Sequence, residues 1–271
     1  MSAPAAERTP VLDEPADVPG SPSRWRTALS DPARLWDLFG IPVVIAVALT
    51  VLWLVFRDVE LTSREAERLN QPQLVLRMQQ HALLSLQAAF WVIVIAVPLG
   101  ILVTRPWARR ITPFVLAIAN AGQAIPSFGL LIILAILLGT GQQSAVIAVV
   151  AYCILPVLRN TMVGIEQIDP AIIESGRGMG LTKGQVLRRI ELPLAVPVVL
   201  AGVRTALILA VGTITLGALI GAGTLGVIIN SGIVGFSTPV LVTGAVITAC
   251  FALFIDWLAG IAEIFLRPKG I

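Results

Sequence analysis

Long uncharged apolar stretches alternate with short polar segments along this chain, and the apolar stretches are long enough to cross a bilayer. Such a tract forms a helix in lipid, because a helix satisfies its backbone hydrogen bonds internally. The turn-forming residues Gly139–Ser144 divide the longest tract into two halves. The predicted spans are about 38–56, 82–104, the two halves of 111–158, 194–220 and 239–262. The pattern therefore predicts an all-α integral membrane protein with six spans.

The segments outside the spans divide the chain into a tail, a membrane domain and connectors. Residues 1–37 are rich in Pro, Ala, Ser and charge and lack an apolar core, which predicts a disordered cytoplasmic tail and not a signal peptide. The membrane domain is expected to cover residues 38–268. We expect the connector Arg57–His81 to lie outside. A Gly-rich interruption precedes the last span, and we expect a short re-entrant helix there at Leu225–Ile229.

Composition supports a membrane protein and excludes several classes of function. The chain is 56% hydrophobic and 13% charged, whereas a soluble domain carries about 25% charged residues. The net charge of +3 is small and scattered, so nucleic acid is not an expected partner. Cys153 and Cys250 both lie inside apolar runs. We interpret them as small core residues and not as a disulfide or a metal pair.

The longest charged interruption in the second half of the chain is the segment 169–193, which begins with signals for a short helix. Asp169 is a good N-cap, and Pro170 suits the first helical position. Gly180 can adopt the left-handed conformation that ends a helix. The first helix is therefore predicted from about Pro170 to Met179.

A second short helix is predicted directly after this glycine. Thr182 and Gln185 have the spacing of a capping box, in which each residue bonds the backbone of the other. Pro193 has no N–H and is expected to interrupt the helical hydrogen bonding. The second helix is therefore predicted from about Lys183 to Glu191. Two short helices joined by a turn would project as a rigid knob into water beside the membrane.

Basic residues indicate which ends of the spans lie in the cytoplasm. If both termini and the 169–193 segment lie inside, fourteen Lys and Arg residues fall on the cytoplasmic side and four on the outer side. The excess supports an arrangement with both termini in the cytoplasm. It also places the knob there, independently of any motif.

The same segment resembles the EAA signature of ABC importer permeases, which reads E-A-A, three residues, G, nine residues, I, one residue and L-P. The residues expected to couple to the ATPase are Glu174, Ser175, Gly176, Gly180, Leu181, Ile190, Leu192 and Pro193. Ser175 and Gly176 stand where the signature has alanines, and both keep the side chain small. The resemblance implies a six-span type I ABC importer permease bundle. The alternative is an ordinary cytoplasmic loop.

In that family the loop inserts into a cleft on a separate ATPase subunit and transmits its motion, which implies that ATP and Mg are bound by that partner. This chain has two lysines, Lys183 and Lys269, and neither completes a P-loop pattern. A single histidine, His81, and no intramembrane carboxylate pair leave little for acid–base catalysis. We therefore expect a transport subunit without catalytic residues and without a cofactor or metal of its own.

Further stretches resemble the permeases of osmoprotectant importers. The run QHALLSLQAAFWVIVIAVPLGILVTR looks like their entry span, and A-N-x-x-Q-x-I-P-S looks like part of their third span. Asn120, Gln123 and Ser127 are spaced by three and four, so they are expected to share one helix face beside Pro126. A polar stripe facing lipid is costly. The stripe therefore lines the translocation path or hydrogen-bonds a neighbouring helix, and the spacing leaves both readings open.

The glycine-rich end of the fifth span offers a second candidate region of the path. Gly217 and Gly221 form a G-x-x-x-G pair, which close helix packing explains. The string IGAGTLG, which includes Gly223, resembles an osmoprotectant-permease segment near the outer gate. Thr213 and Thr215 could contribute hydroxyl groups to the same region or bond back to their own helix.

Three ionisable residues lie near or within the spans, and the sequence leaves two alternative roles for them. Arg204 lies inside the fifth span and either extends to the interface or pairs with Asp256 of the sixth span. His81 is expected at the outer end of the second span, as an interfacial residue or as part of a gate.

The favoured hypothesis is the transmembrane subunit of an ATP-driven importer in the bacterial inner membrane, which moves glycine betaine, choline, carnitine or a similar amine by alternating access. The resemblance implies three protein partners: an ATP-binding subunit, a second permease and an extracytoplasmic solute-binding protein. An aromatic cage holds a quaternary ammonium well, and we expect the binding protein to provide it because this chain has one tyrosine.

Two other readings remain at the level of sequence. One is an importer permease for another solute, such as methionine, taurine or phosphonate. The other is a secondary transporter that works alone, which would need ionisable residues deep in its spans.

Overall fold

The chain, described for residues 39–266 in a computed structural model, is a bundle of helices joined by short turns. The helices are α1 (Ile41–Phe56), α2 (Ser63–Arg68), α3 (Gln71–Val103), α4 (Thr112–Ala124), α5 (Ser127–Leu138), α6 (Gln142–Glu166), α7 (Pro170–Gly178), α8 (Lys183–Val186), α9 (Leu192–Ile214), α10 (Gly226–Val234) and α11 (Thr238–Leu266). Short 3-10 turns occupy Pro106–Ala108 and Thr215–Ile220, and a π-helical turn occupies Leu187–Glu191. The predicted tail, residues 1–37, lies outside the described residues.

Among residues 39–266, four helices are long and apolar enough to cross a membrane: α3, α6, α11 and the continuous helix Lys183–Ile220 that contains α9. Helices α4 and α5 pass the same test only as a pair, bent by 100°. Helix α1 is apolar but has 16 residues, a length of roughly 24 Å. The all-α prediction is confirmed for the described residues. The count of six spans and the cytoplasmic location of both termini stay predictions.

Helix α6 forms the centre of the bundle and packs against α3, α4, α5 and α9. The side chains on its inner faces are small, which lets the neighbouring helices approach closely. Ala145, Ala148 and Cys153 are nearly or fully buried there, and Val149 and Leu158 fill the remaining space. The second cysteine, Cys250, is also buried and free. The interpretation of both cysteines as small core residues is confirmed.

A smaller apolar core lies beyond the C-terminal end of α9, where α10 packs against α11. Leu225, Ile228 and Val240 are buried in this cluster. Leu69, just before α3, and Leu74, in the first turns of α3, pack against them. These two leucines of the segment expected to lie outside therefore serve a protein core.

Helix α3 begins well before the predicted start of its span at residue 82. Asn70 caps it by accepting a hydrogen bond from the Gln73 N–H at 2.9 Å, and Pro72 lies in the first turn. The helix has 33 residues, which gives a length of roughly 50 Å. Polar side chains between residues 71 and 81 concealed this extension, because hydropathy finds the membrane-crossing part of a helix and not the part beyond it.

The prediction that Pro193 ends the second loop helix is wrong. A single helix runs from Lys183 to Ile220, and it passes through Pro193. In a regular α-helix the proline ring would collide with the carbonyl group of Arg189. The wider π-helical turn Leu187–Glu191 ends two residues before the proline and includes Arg189, so the helix departs from α geometry where the ring requires space.

A short helix is present where a re-entrant helix is predicted at Leu225–Ile229, and it is longer, because α10 runs from Gly226 to Val234. Its re-entrant character stays a prediction. Gly232 brings α10 against the backbone of α11, since a Cβ atom at this position would lie 2.4 Å from the Leu241 nitrogen. The short helix therefore packs along a span, with no room for a side chain between the two backbones.

Candidate functional site

The first helix of the loop at 169–191, α7, has the predicted caps at both ends. Asp169 accepts a hydrogen bond from the Ala171 N–H at 2.8 Å. At the other end Gly180 adopts a φ of +85°. Its N–H donates to the Arg177 carbonyl at 2.9 Å, and the Leu181 N–H donates to the Gly176 carbonyl at 3.2 Å. These two bonds form a Schellman motif, which satisfies the last carbonyl groups of the helix.

The second helix begins with the predicted capping box. The Thr182 N–H donates to the Gln185 side-chain oxygen at 2.8 Å, and the Gln185 N–H donates to the Thr182 hydroxyl oxygen at 3.4 Å. One residue therefore separates the glycine that ends α7 from the cap that starts α8. A connection this short leaves the angle between the two helices little freedom.

A small apolar core holds the loop together from inside. Gly176 is buried, and a Cβ atom at this position would lie 2.5 Å from Cδ1 of Ile190. Leu181 and Val186 lie next to the same point, at 3.7 and 3.8 Å. The small residue at position 176 and the isoleucine at 190 are thus contact partners. Their spacing along the chain follows from packing α7 against the π-helical turn.

The outer face of the loop is open to solvent. Glu174 and Ser175 are exposed, and the Ser175 hydroxyl donates to the Ala171 carbonyl at 2.7 Å. Two apolar side chains also project, Ile172 with 45% of its surface exposed and Met179 with 75%. The loop therefore presents a carboxylate and two apolar side chains on a rigid frame, which is a surface suited to a protein partner.

Leu192 and Pro193, the last two residues of the signature, form the start of α9 and are half-buried. The residue before them, Glu191, is 5% exposed and forms an ion pair with Arg105 at 2.6 Å. Sequence reasoning missed this pair, because the signature leaves position 191 unspecified. The only hint was a carboxylate beside an apolar run, with an arginine at the end of another span.

The stripe predicted in the third span is divided by the bend between α4 and α5. Asn120 and Gln123 lie on α4, which ends at Ala124, whereas Ser127 is the first residue of α5. Because the two helices are bent by 100°, Ser127 does not continue the face of the other two. The prediction of a shared helix face is wrong for Ser127. Pro126 explains the break, since it cannot donate to the helix and disfavours helical geometry in the residue before it.

Asn120 links two helices by its side chain. Its amide nitrogen donates to the Leu116 carbonyl at 2.7 Å, and its amide oxygen accepts from the Arg159 guanidinium at 3.0 Å. Arg159 belongs to α6, so Asn120 makes the interhelical hydrogen bond that was one of its two predicted roles. Asn120, Gln123 and Ser127 are half-buried, which also leaves part of each side chain accessible.

The glycines after α9 shape a turn and do not form a helix-packing pair. Gly217 is buried, and a Cβ atom there would lie 3.2 Å from the Ala145 Cβ, so this glycine does allow close packing. Gly221 adopts a φ of +82° and ends the 3-10 turn, with no neighbouring atom near its Cβ position. The G-x-x-x-G interpretation is therefore wrong for Gly221. The left-handed backbone explains a glycine at 221 and at Gly223, whose φ is +74°.

The two threonines of this region are buried or half-buried. The Thr215 hydroxyl donates to the Val211 carbonyl of its own helix at 3.1 Å. Thr213 is buried, with 8% of its surface exposed. The segment 221–225 also contacts α3, because Arg77 donates to the Gly223 carbonyl at 3.5 Å.

His81 is fully buried, so the prediction of an interfacial residue is wrong. Its Nδ1 accepts a hydrogen bond from the Leu225 N–H at 3.3 Å. The ring proton therefore lies on Nε2, which donates to the Val211 carbonyl at 3.1 Å. Phe251 packs edge-on against the ring, with the ring centroids 5.3 Å apart. His81 thus joins α3, α9, α11 and the segment before α10.

The pairing of Arg204 with Asp256 is confirmed. The Arg204 Nε and NH2 groups donate to the two carboxylate oxygens of Asp256 at 2.5 and 2.9 Å, and Glu263 lies 3.9 Å from NH1. Such a two-point contact is the strongest geometry for this pair of residue types. The guanidinium group therefore has its counterion on the neighbouring span, and its extension to the interface stays a prediction.

A hydrogen bond joins α2, between the first two long helices, to the start of α11. The Ser237 hydroxyl donates to the Glu65 carboxylate at 2.5 Å, and Ser237 in turn accepts a hydrogen bond from the Val240 N–H. The hydrogen bonds from Ser237 and Thr62 lower the pKa of Glu65 below its ordinary value. The carboxylate form thus holds α2 at the start of α11, and this contact weakens when the pH falls through the lowered pKa.

Two open grooves lie on the bundle surface. One has a volume of about 370 Å³ between α3 and α6, lined by Gln87, Trp91 and Gln143 among apolar side chains. The other has a volume of about 470 Å³ at the opposite ends of the same helices, lined in part by Arg109 and Glu166. Within residues 39–266, no group of three or more His, Cys, Asp or Glu side chains could hold a metal ion.

The family described as the binding-protein-dependent transport system inner membrane component matches residues 96–267, which include the loop and all helices from α4 to α11. The chain belongs to this family. The permease is therefore a multi-pass membrane protein, and the resemblance to ABC importer permeases is confirmed. The match also covers every signature residue of the loop.

Individual relatives of the permease carry more specific names. It is 40% identical over 190 residues to the carnitine transport permease protein OpuCD of Listeria monocytogenes strain 10403S, covering 70% of this chain and 84% of the relative. It is 39% identical over 190 residues to the glycine betaine/carnitine/choline transport system permease protein OpuCD of Bacillus subtilis, covering 70% and 82%. The choline transport system permease protein OpuBB of Bacillus subtilis is 37% identical over 202 residues, covering 74% and 92%. These relatives confirm the resemblance to osmoprotectant permeases.

Solved structures of the MetNI methionine ABC transporter in inward-facing conformations resemble the permease in fold. One aligns with a TM-score of 0.66 at 25% identity and another with 0.65 at 26%, each covering 74% of this chain and 100% of the solved chain. The predicted type I importer fold is thus confirmed by structural likeness.

Proposed function

We propose that this permease is the membrane-spanning subunit of an ATP-driven importer for a small quaternary amine, such as glycine betaine, carnitine or choline. The relatives at 37–40% identity are named for these solutes, which supports the substrate class. The rigid loop at the signature position supports the proposed coupling to ATP hydrolysis. The sequence contains no P-loop pattern, and the loop offers a surface on which a separate ATPase subunit could act.

In this proposal the loop residues dock on a separate ATPase subunit, which binds ATP and Mg. Gly176, Leu181 and Ile190 form the inner contacts that keep the loop rigid, and Gly180 sets the turn. Glu174, Ser175 and Met179 face outward, where the partner would touch them. Leu192 and Pro193 join the loop to α9, so a displacement of the loop would be passed directly to a span.

The path of the solute is proposed to follow the polar positions of the bundle. Asn120, Gln123 and Ser127 lie beside the bend at Pro126, where the end of α4 meets the start of α5. Thr213 and the left-handed glycines Gly221 and Gly223 are proposed to form the outer part, since turns of this kind can rearrange more readily than a packed helix.

Three partners complete the assembly. A second permease, either a copy of this chain or a relative, would enclose the path from the other side, and the ATPase subunits would bind to both loops. An extracytoplasmic protein would deliver the solute. Alternating access then follows if ATP binding moves the two loops together and hydrolysis releases them.

The proposal is tested by purifying the assembled transporter in lipid vesicles with its ATPase and its binding protein. Uptake of labelled glycine betaine, choline and carnitine is measured with ATP inside and outside the vesicles, and methionine serves as the competing solute. We expect uptake of at least one quaternary amine, dependent on ATP at the loop side. Uptake of methionine alone would assign the other solute class, and uptake without ATP would favour a secondary transporter.

Loop variants test the docking surface in the same system. Glu174→Arg and Met179→Asp are expected to abolish co-purification of the ATPase and solute-stimulated ATP hydrolysis, because both alter exposed side chains of the loop. Glu67→Arg and Leu61→Asp make the same changes at exposed positions of the outer connector and should leave both measurements unchanged. Normal ATPase binding by both loop variants would exclude this surface.

A further inference from the structure

The loop has a further attachment to the bundle besides its covalent connections to α6 and α9. Within the loop, α7, α8 and the π-helical turn pack mainly on one another, and the turn continues into α9. At the end of this turn the Glu191 carboxylate pairs with Arg105, which lies two residues after the end of α3 that is expected in the cytoplasm. Two different spans are therefore tied to the same point of the loop.

Arg105 is held in position from its own side. Its Nε donates to the Ile101 carbonyl at 3.1 Å, and its NH2 donates to the Thr104 hydroxyl oxygen at 3.2 Å and to Glu191 at 2.6 Å. The guanidinium group thus bonds the last turn of α3 and the carboxylate at once. A side chain fixed by three hydrogen bonds transmits a displacement better than one that is free to rotate.

The environment makes this pair hard to separate. The side chain of Glu191 is 7% exposed and that of Arg105 is 25% exposed. Water can replace the partner of an exposed charge, but a buried carboxylate that loses its arginine has no such substitute. When the loop moves, the free energy is therefore lower if Arg105 moves with it than if the Glu191 carboxylate loses its ion pair.

Helix α3 connects this point to the opposite end of the bundle. Its roughly 50 Å of helix carries His81 and Arg77 at the other end, where they bond Leu225 and Gly223 of the glycine-rich segment. It also packs along α6 and α9 through the core. A shift of α3 at Arg105 would thus bear on the segment proposed to form the outer part of the path.

We propose that Arg105 and Glu191 act as a positioning pair that makes α3 follow the coupling loop, so that ATP-driven motion reaches α3 directly as well as through α9. The inference rests on the proposed function, since it takes the loop as the contact with the ATPase. It adds a residue outside the signature and assigns a role to the signature position that the pattern leaves open.

The test compares the amount of solute transported per ATP hydrolysed in the assembled transporter. Arg105→Gln and Glu191→Gln are expected to bind the ATPase in normal amount but to lower this ratio by about fivefold or more, the size of a typical coupling between sites. Arg105→Lys keeps the charge but has one nitrogen in place of the guanidinium group, so its ratio should lie between those of Arg105→Gln and the unaltered protein. The double variant Arg105→Gln with Glu191→Gln should be no worse than either single variant, because the two residues act as a unit.

Arg110→Gln is the matched control. It removes an exposed cation from the same turn, and the residues 39–266 show no ion pair at this position. We expect this variant to transport as much solute per ATP hydrolysed as the unaltered protein. If Arg105→Gln fails to assemble, Glu191→Gln and the double variant decide between the outcomes. Unchanged ratios in the single variants, or losses that multiply in the double variant, would overturn the inference.

The outcome is separable from that of the proposed function. If the unaltered assembly shows no ATP-dependent uptake, the proposed function fails and the ratio is undefined. If the unaltered assembly transports normally and the pair variants keep their ratio, the function stands and the positioning role is refuted.

Discussion

The two short segments at opposite ends of α9 are held in place in different ways. The coupling loop, 169–191, is held in shape by caps and contacts among its own residues, such as the Gly176 and Ile190 pair, and Glu191 at its end contacts the distant Arg105. The outer segment, 215–237, which includes the proposed outer part of the path, is fixed by residues that lie 144 to 172 positions away along the chain, including His81 and Glu65. One segment therefore carries its own scaffold, and the other depends on the assembled bundle.

This difference suits the proposed work of each segment. A loop that is rigid by itself can be displaced as a unit without losing its shape, which is what docking to a moving partner requires. A segment that is held by distant side chains changes when the helices carrying those side chains shift. The comparison predicts that damage to the outer segment destabilises the whole bundle, whereas damage to the loop stays local.

The largest effect is expected at Gly226, the first residue of α10. A Cβ atom there would lie 1.9 Å from the Thr215 carbonyl oxygen and 2.9 Å from its carbon, and a backbone cannot yield as a flexible side chain can. Gly226→Ala should destabilise the protein by about 3 kcal/mol or more, measured as a lower melting temperature in detergent. Gly212→Ala in α9 meets no atom within 4 Å and is the control. Equal melting temperatures for both variants would contradict the packing described here.

The next effect concerns the buried histidine. His81→Ala leaves the Leu225 N–H without its acceptor and opens a cavity beside Phe251. We expect a loss of about 2–3 kcal/mol and faster hydrogen exchange in the segment 221–225, with the loop unaffected. Leu83→Ala alters a side chain of the same helix that is 67% exposed, and it should change neither measurement in detergent. Faster exchange in the loop as well would show that the two segments are not independent.

The smallest effect is expected in the loop. Gly180 has a φ of +85°, and Gly180→Ala should cost about 1–2 kcal/mol because an L residue resists the left-handed conformation. The cost should appear as faster hydrogen exchange between residues 170 and 191, with the melting temperature of the bundle unchanged. Gly178→Ala, on the same helix with open space at its Cβ position, should instead slow exchange slightly. A fall in melting temperature comparable to that of Gly226→Ala would end the distinction between the two segments.

Much of the loop could be predicted from sequence because its determinants are close together. The cap at Asp169, the capping box at Thr182 and the left-handed Gly180 each act over two to five residues, and all three were confirmed. The single error, at Pro193, arose because a π-helical turn lets the helix continue through a residue that usually ends one.

Prediction was poorer wherever a residue depends on a distant partner. The bend at Pro126 removed Ser127 from the expected face, and His81 proved to be buried although its sequence neighbours suggested an interface. Asp256 was named as the partner of Arg204, because few charges lie within the spans and a charge in lipid needs a counterion. The partner of Glu191 could not be found in this way, because several arginines lie at the ends of spans and the sequence does not distinguish Arg105 among them.

The amino-acid sequence by itself determined the apolar helices, the caps and the shape of the coupling loop, because burial in lipid and capping are satisfied by residues near one another. Only the tertiary structure decided that Glu191 meets Arg105, that His81 binds Leu225, and that the polar stripe divides at Pro126. The reason is physical. A contact between helices depends on the rotation and bend of both, and these are set by the packing of small side chains around α6 and not by the residues in contact.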